Sequence, residues 1–385
     1  MFQCPGCGGG LRYDIASGQL ACDYCSNKYD PYSIDKEHDA EKTDYYQASV
    51  FICPQCGAEL VSSDDTAAAF CSYCGGSTIL TDNMKDEKRP DRIIPFKLTK
   101  EECENIYKKR VRRSIFAPGE FLKPEHLDKM TGIYMPYWIY DMEIKGENSL
   151  KSTSDHRDGD YIIHEHYEMA VDSDLSFEGI SYDAASAFAD DISEEIAPFN
   201  TAASIDFTPS FLCGFHADVQ DMDSSVYESK AENYARDEAV VRLKEIFKKE
   251  GKKLYGKPDS GQSAVRVRKT KDYTGLFPVW FLTWRKNNRV AYAVINGENG
   301  RISLDLPVDI KKYFIFTAIL TVPIFLFLES FLAMRMDTGM LFVAFIAMIS
   351  TYIFNRLNED VIKKENMEDD LGYQNKLRKD MAARQ

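Results

Sequence analysis

The chain has 385 residues, a formal net charge of −14 and a pI near 5.0. That length leaves room for two or three domains, and the acidic balance argues against general binding to a phosphate backbone. Residues 1–85 sharpen the point, with five Lys/Arg against twelve Asp/Glu.

Eight of the ten cysteines fall in the first eighty residues as four Cys-x-x-Cys pairs: Cys4/Cys7, Cys22/Cys25, Cys53/Cys56 and Cys71/Cys74. Fourteen residues separate the pairs within each unit, and the second unit repeats the first at an offset of forty-nine. Phe2-Gln-Cys-Pro-Gly-Cys-Gly8 aligns with Phe51-Ile-Cys-Pro-Gln-Cys-Gly57, Leu11 with Leu60, and Cys22-Asp-Tyr24-Cys25 with Cys71-Ser-Tyr73-Cys74. This is an internal duplication of a small metal-binding unit. Two Cys-x-x-Cys knuckles on an antiparallel excursion give the four-sulfur shell that zinc prefers, and units this small depend on the metal to fold. Disulfides would need an oxidising compartment; no secretory segment is expected before Met1-Phe-Gln-Cys4, where the first knuckle begins. An iron–sulfur or redox-dithiol centre is the other alternative. The expectation is two zinc ions, one held by Cys4, Cys7, Cys22 and Cys25, the other by Cys53, Cys56, Cys71 and Cys74. The expected ribbons span residues 1–30 and 50–82.

Residues 30–49 read as a spacer and 81–92 as a polar connector. Thr99-x-x-Glu102 is a capping box that opens a helix to about Arg112, and its basic end, Lys108 to Arg113, suits a helix C-terminus or an anionic surface. From Gly132 the chain turns strand-like, and Tyr161–Val171 alternates. His164 and His166 project from one face of that run. With His156, Glu165 or His216 they could ligate a metal, but surface histidines are the simpler reading. Cys103 and Cys213 read as small buried hydrophobes. A helix over 224–249 presents Tyr227, Ala231, Tyr234, Ala235, Val241 and Ile246 as an apolar stripe. A strand meander follows over 264–304, with Pro278 marking an edge or a bulge. Residues 93–308 therefore form a mixed α+β domain with no phosphate loop or nucleophile elbow, and no enzyme is expected.

Tyr313–Leu328 is sixteen residues without a charge, and Met340–Phe354 is fifteen more. They are read as a transmembrane helical hairpin over 312–356, followed by a polar tail over 357–385. Lys311, Lys312, Arg356, Lys363 and Lys364 outnumber Arg335 in the turn, so both chain ends are expected on the cytoplasmic side of an inner membrane crossed twice. The fold class expected is thus α+β multidomain: two small β zinc ribbons, an antiparallel-sheet and helix middle domain, and a two-helix transmembrane hairpin.

An ordered set of motifs runs through the chain: the Cys-Pro-x-Cys-Gly knuckles, Ile94-Pro-Phe-Lys97, Phe116-Ala-Pro118, Gly132-Ile-Tyr-Met-Pro-Tyr-Trp138, Pro198-Phe199, Phe211-Leu-Cys-Gly-Phe215, Phe277-Pro-Val-Trp280, and Asn296-Gly297 through Leu306-Pro-Val308. In these the chain resembles the bacterial TFIIB-type zinc-ribbon membrane proteins over about residues 1 to 330. The resemblance implies zinc at the eight cysteines. It also implies an adaptor that recruits cytosolic or membrane-associated proteins, such as phage-shock-protein-A-like envelope-stress proteins, and it supplies no catalytic residues. Nucleic-acid binding through the basic stretches 108–113 and 266–271 is the alternative.

Overall fold

In this computed structural model the described residues are 2–38, 44–54, 57–62, 71, 73, 81–186, 188–249, 257–258, 265–286, 289–332 and 344–356. The first cysteine unit builds its own three-stranded antiparallel sheet from β1 (Leu11–Asp14), β2 (Gln19–Cys22) and β3 (Lys28–Tyr29). The expected spacer begins with a helix, α1 (Pro31–His38). Asp30 caps it, accepting from the N–H groups of Tyr32 and Ser33 at 2.9 and 3.3 Å, and Pro31 occupies the first turn, where its missing N–H costs nothing.

The next strands are β4 (Tyr45–Ile52), β5 (Glu59–Ser62), β6 (Thr81–Lys88) and β7 (Arg92–Ile93). Helices α2 (Lys100–Arg113) and α3 (Pro124–Leu127) follow, and the capping box is formed as expected, with Thr99 and Glu102 bonded reciprocally at 3.3 and 2.8 Å. Two long strands, β8 (Thr131–Asp158) and β9 (Tyr161–Asp183), then make a hairpin that turns at Gly159, whose φ of +61° a side chain would oppose. The remaining elements are α4 (Asp190–Ile196), β10 (Ile205–Asp206), β11 (His216–Asp218), α5 (Ser225–Lys249), β12 (Lys257–Pro258), β13 (Arg268–Lys286), β14 (Arg289–Asn296), β15 (Ile302–Leu304) and α6 (Ile310–Leu332).

Twelve strands join one mixed sheet whose main path runs β10-β7-β13-β8-β11-β5-β4-β6, with β9 and β12 on β8, β14 on β13, and β15 on β14. Its centre is buried on both faces, so side-chain alternation sorts residues between two layers. On β8 and β13, Tyr134, Trp280, Leu282 and Trp284 enter one core with Phe96 and Phe215. Ile133, Met135, Tyr137, Phe277, Val279 and Phe281 enter the other with Ile192, Ile196 and Phe199 from the α4 side. Further along β8, Tyr140, Met142 and Ile144 pack under α5. The α5 stripe is Tyr227, Ala231, Ala235 and Ala239, whose small side chains let the helix lie close to the sheet. Tyr234 and Val241, expected in the stripe, are exposed. Pro278 sits inside a central strand without cost. It falls where β13 changes partner, after the pairing with β7 ends at Leu276 and before that with β14 begins at Val279.

The expected fold class is corrected on two points. The second cysteine unit is not a free-standing ribbon in the manner of the first: β5 pairs with both β4 and β11 and so enters the large sheet. The residues responsible are Val50, Phe51, Leu60 and Val61, all buried, which alternate between two covered faces. The connector over 81–92 is itself mostly strand, because β4 offers β6 a full backbone partner from Tyr45 to Ile52.

The two-helix transmembrane hairpin is the second correction. Among the described residues, one helical segment, Ile310–Phe327, is long and apolar enough to cross a membrane. Of the second run, residues 344–356 are described, as helix, and 340–343 lie outside the described residues. The inner-membrane placement with two spans and cytoplasmic termini falls with it. That second helix lies beside the start of α6: the Tyr313 hydroxyl meets Ser350 Oγ at 2.8 Å, and its ring packs on Phe354 at 5.0 Å. The tail over 357–385 lies outside the described residues.

Candidate metal centre

The first knuckle is shaped by its backbone. Cys4 N–H donates to Gly9 O at 2.7 Å and Gly8 N–H returns to Cys4 O at 2.8 Å, with Gly8 at a φ of +75° that glycine accepts freely. The second knuckle closes alike: Cys22 N–H donates to Asn27 O and Ser26 N–H to Cys22 O, both at 3.0 Å. The β1–β2 hairpin sets Leu11 opposite Cys22 and so carries one knuckle over the other.

The result is a cluster of four sulfurs. Cys4 Sγ lies 3.5 Å from Cys25 Sγ, Cys7 Sγ lies 3.5 Å from Cys22 Sγ, and all four are within 4.8 Å of one another. Cys4 and Cys22 are buried, Cys25 half-buried and Cys7 exposed. The Tyr29 hydroxyl, 3.4 Å from Cys4 Sγ, is the main influence that lowers that thiol to about 6. Cys7 is favoured as thiolate by the backbone at Gly9, yet the neighbouring sulfurs of Cys22 and Cys25 push it up to about 12. Four sulfurs this close cannot all ionise without a cation among them, so the cluster could hold a metal ion.

The second unit repeats the first knuckle in detail. Cys53 N–H donates to Ala58 O at 2.9 Å, Gly57 N–H donates to Cys53 O at 2.7 Å, and Gly57 has a φ of +76°. Cys53 and Cys71 are buried in one small core with Phe51 and Leu60. Cys56 and Cys74 lie outside the described residues, so the cluster at Cys4, Cys7, Cys22 and Cys25 is the one metal-competent group among those described.

The repeated knuckle tyrosine separates the two units. Tyr24 is 83% exposed and lies against Gly9, where a Cβ would press into its ring. Tyr73 instead turns onto the large sheet, packing on Phe281 at 5.6 Å, reaching Met135 Sδ at 3.4 Å and donating to the buried carboxylate of Asp218. The pairing of Tyr24 with Tyr73 is visible in the repeat; the role of Asp218 is not, because nothing in the sequence ties β11 to the second unit.

The first unit is also docked, but by its strand side. Tyr13 packs on Phe211 and Phe215 at 5.4 and 6.5 Å, Tyr13 N–H donates to Cys213 O at 3.0 Å, and the Tyr32 hydroxyl reaches Asp206 O at 2.8 Å.

The histidine alternative does not assemble. His164 Nδ1 lies 2.6 Å from Asp155 and His156 is 3.9 Å from Glu165, exposed pairs on the hairpin arm, while His166 stands across from Thr153. Cys103 is fully buried, and burial pushes its thiol up to about 12, which suits a packing role. Of the two basic stretches, 266–271 has two of its four cations beside carboxylates: Lys269 pairs with Glu228 at 2.7 Å, and Arg268 is 3.8 Å from Glu143.

No family model matches the chain, and no solved structure matches it. The chain is similar to a Bacillus subtilis (strain 168) protein described as uncharacterized protein YdjG. The two are 26% identical over 322 residues, spanning 81% of this chain and 91% of that protein.

Proposed function

We propose that the protein is a zinc-stabilised adaptor whose first cysteine unit docks another protein. The observation that carries this reading is the unequal fate of one repeated residue. In the second unit the knuckle tyrosine, Tyr73, is half-buried against an apolar wall with an acid at its end; in the first, Tyr24 occupies the same place and is left in water. An exposed aromatic on a rigid, metal-closed knuckle is the kind of anchor that protein interfaces use.

Zinc is the ion that suits four thiolates. Its tetrahedral bonds of about 2.3 Å would set the sulfurs ~3.8 Å apart, close to the spacing of Cys4 with Cys25 and of Cys7 with Cys22. A second zinc at Cys53, Cys56, Cys71 and Cys74 is part of the same proposal, supported by the repeat and by the matching backbone of the two first knuckles. The acidic balance of the first 85 residues favours a protein over a nucleic acid as the docked molecule.

The test places a photo-crosslinking amino acid at position 24 in living cells. A protein adduct that vanishes with Cys22→Ser supports the adaptor; a zinc-loaded protein that yields no adduct from position 24 rejects it.

A further inference from the structure

Beyond Arg113 the chain turns and lies against the first turn of α6. The Phe116 ring meets Tyr313 and Phe316, each at 5.5 Å; Asp309 N–H donates to Phe116 O at 2.7 Å, and Lys312 Nζ donates to Ala117 O at 2.6 Å. These contacts fix the basic end of α2 beside the point where the apolar helix leaves the sheet.

The charge at this junction runs against that of the whole chain. Lys109, Arg110, Arg112 and Arg113 from α2, with Lys311 and Lys312 from α6, are all exposed, and none has a carboxylate within ion-pair distance among the described residues. The acids close by are engaged: Glu104 holds Lys108 at 2.9 Å, and Asp309 caps α6 through the N–H groups of Lys311 and Lys312 at 3.0 and 3.3 Å. Past the cations the solvent requirement inverts. Phe314, Ile315, Ile319, Leu320, Leu326 and Phe327 are exposed, on all sides of a helix that is 6% buried over Ile310–Phe327. Ile115, 65% exposed, adds an apolar side chain on the α2 side of the junction.

We propose that this junction is a collar that contacts an anionic lipid bilayer, its cations on the headgroup phosphates and the apolar turns of α6 in the acyl region. Cations followed by an all-round apolar surface match the layering of a bilayer interface, from charged headgroups to hydrocarbon. A second copy of the chain would cover the apolar residues but leave like charges facing each other. A nucleic acid would use the cations but leave the apolar helix in water. The collar needs one apolar helix, and it is independent of the metal centre.

The test uses the full chain, diluted from detergent onto preformed vesicles and floated. Vesicles of phosphatidylcholine with phosphatidylglycerol should retain at least ~tenfold more protein than phosphatidylcholine alone, each cation near an anionic surface contributing roughly a fivefold effect. High salt should erase that preference, as should the combined change Arg110→Glu, Arg112→Glu and Arg113→Glu, with the melting temperature and metal content of the variant unchanged. The milder Arg110→Gln with Arg112→Gln should give an intermediate loss. Equal retention on both vesicles overturns the proposal. So does a folded protein that ignores vesicles and dimerises with concentration, or a salt-sensitive shift of duplex DNA that the same three changes abolish.

Discussion

Tyr73 donates its hydroxyl to Asp218, and that bond joins the second cysteine unit to the middle of the large sheet. Asp218 is buried, and burial raises its carboxyl from 3.8 to about 7, the Tyr73 hydroxyl pulling it part of the way back. The folded chain therefore holds a proton that the unfolded chain releases between about pH 4 and 7. The stability this group contributes is present at low pH and is lost as pH rises through its folded value. One such group gives a slope of at most ~1.4 kcal/mol per pH unit. Asp183, buried near Asp190 and raised to about 7 chiefly by desolvation, adds a second contribution of the same sign. Melting temperatures from pH 5 to 8 should fall less steeply in Asp218→Asn than in the parent; parallel curves would show that Asp218 is ionised in the fold throughout.

Removing a thiolate should separate the two units. Cys22→Ser is expected to lower the zinc content by about one ion per chain and to loosen β1–β3, which gather around the cluster. The twelve-stranded sheet contains none of those strands and should persist. Metal analysis with circular dichroism reads both outcomes, and complete loss of tertiary structure would refute the separation.

The two knuckle tyrosines should respond differently to truncation. Tyr24→Ala removes an exposed ring and should change stability by less than ~0.5 kcal/mol while weakening partner capture. Tyr73→Ala strips contacts with Phe281 and Met135 and leaves the Asp218 carboxyl with the Val219 N–H but without the tyrosine donor, a loss of about 2–4 kcal/mol. Chemical denaturation of the two variants side by side decides it.

Gly179 is a backbone requirement of the hairpin. Its φ is +78°, its N–H donates to Asp141 Oδ1 at 2.9 Å, and a Cβ there would collide with Thr201. Gly179→Ala should cost about 2–4 kcal/mol. Adding Thr201→Ala should recover the steric part and leave about 1 kcal/mol of backbone strain. Urea titrations of the single and double variants measure both parts.

The sequence showed most plainly what is local. Identical spacing announced a repeat, and its first knuckles match in their hydrogen bonds, Cys4 with Gly9 and Cys53 with Ala58. Thr99 and Glu102 announced the start of α2, and the 3.6-residue period announced α5. What escaped depends on partners remote in the chain. Nothing near Leu60 or Val61 says that β11 will lie beside them, and Thr81–Lys88 is too polar to announce a strand until β4 is in view. The start of α1 is marked locally by Asp30-Pro31, a cap followed by a first-turn proline, inside the expected spacer. At the other end, the uncharged run from Tyr313 to Leu328 marked α6.

The three residues of β11 have a consequence for the order of assembly. Among the described residues they alone connect β4, β5 and β6 to β8 in the hydrogen-bonding path, although the chain makes β4–β6 long before it makes His216. During synthesis the cysteine knuckles leave the ribosome before β11 does, and the short-range turns that shape them close within a few residues. Their seat on the sheet is completed only after Asp218 has emerged, because closing so long a loop must await its far end. The turns that can form earliest are thus among the last to find their neighbours.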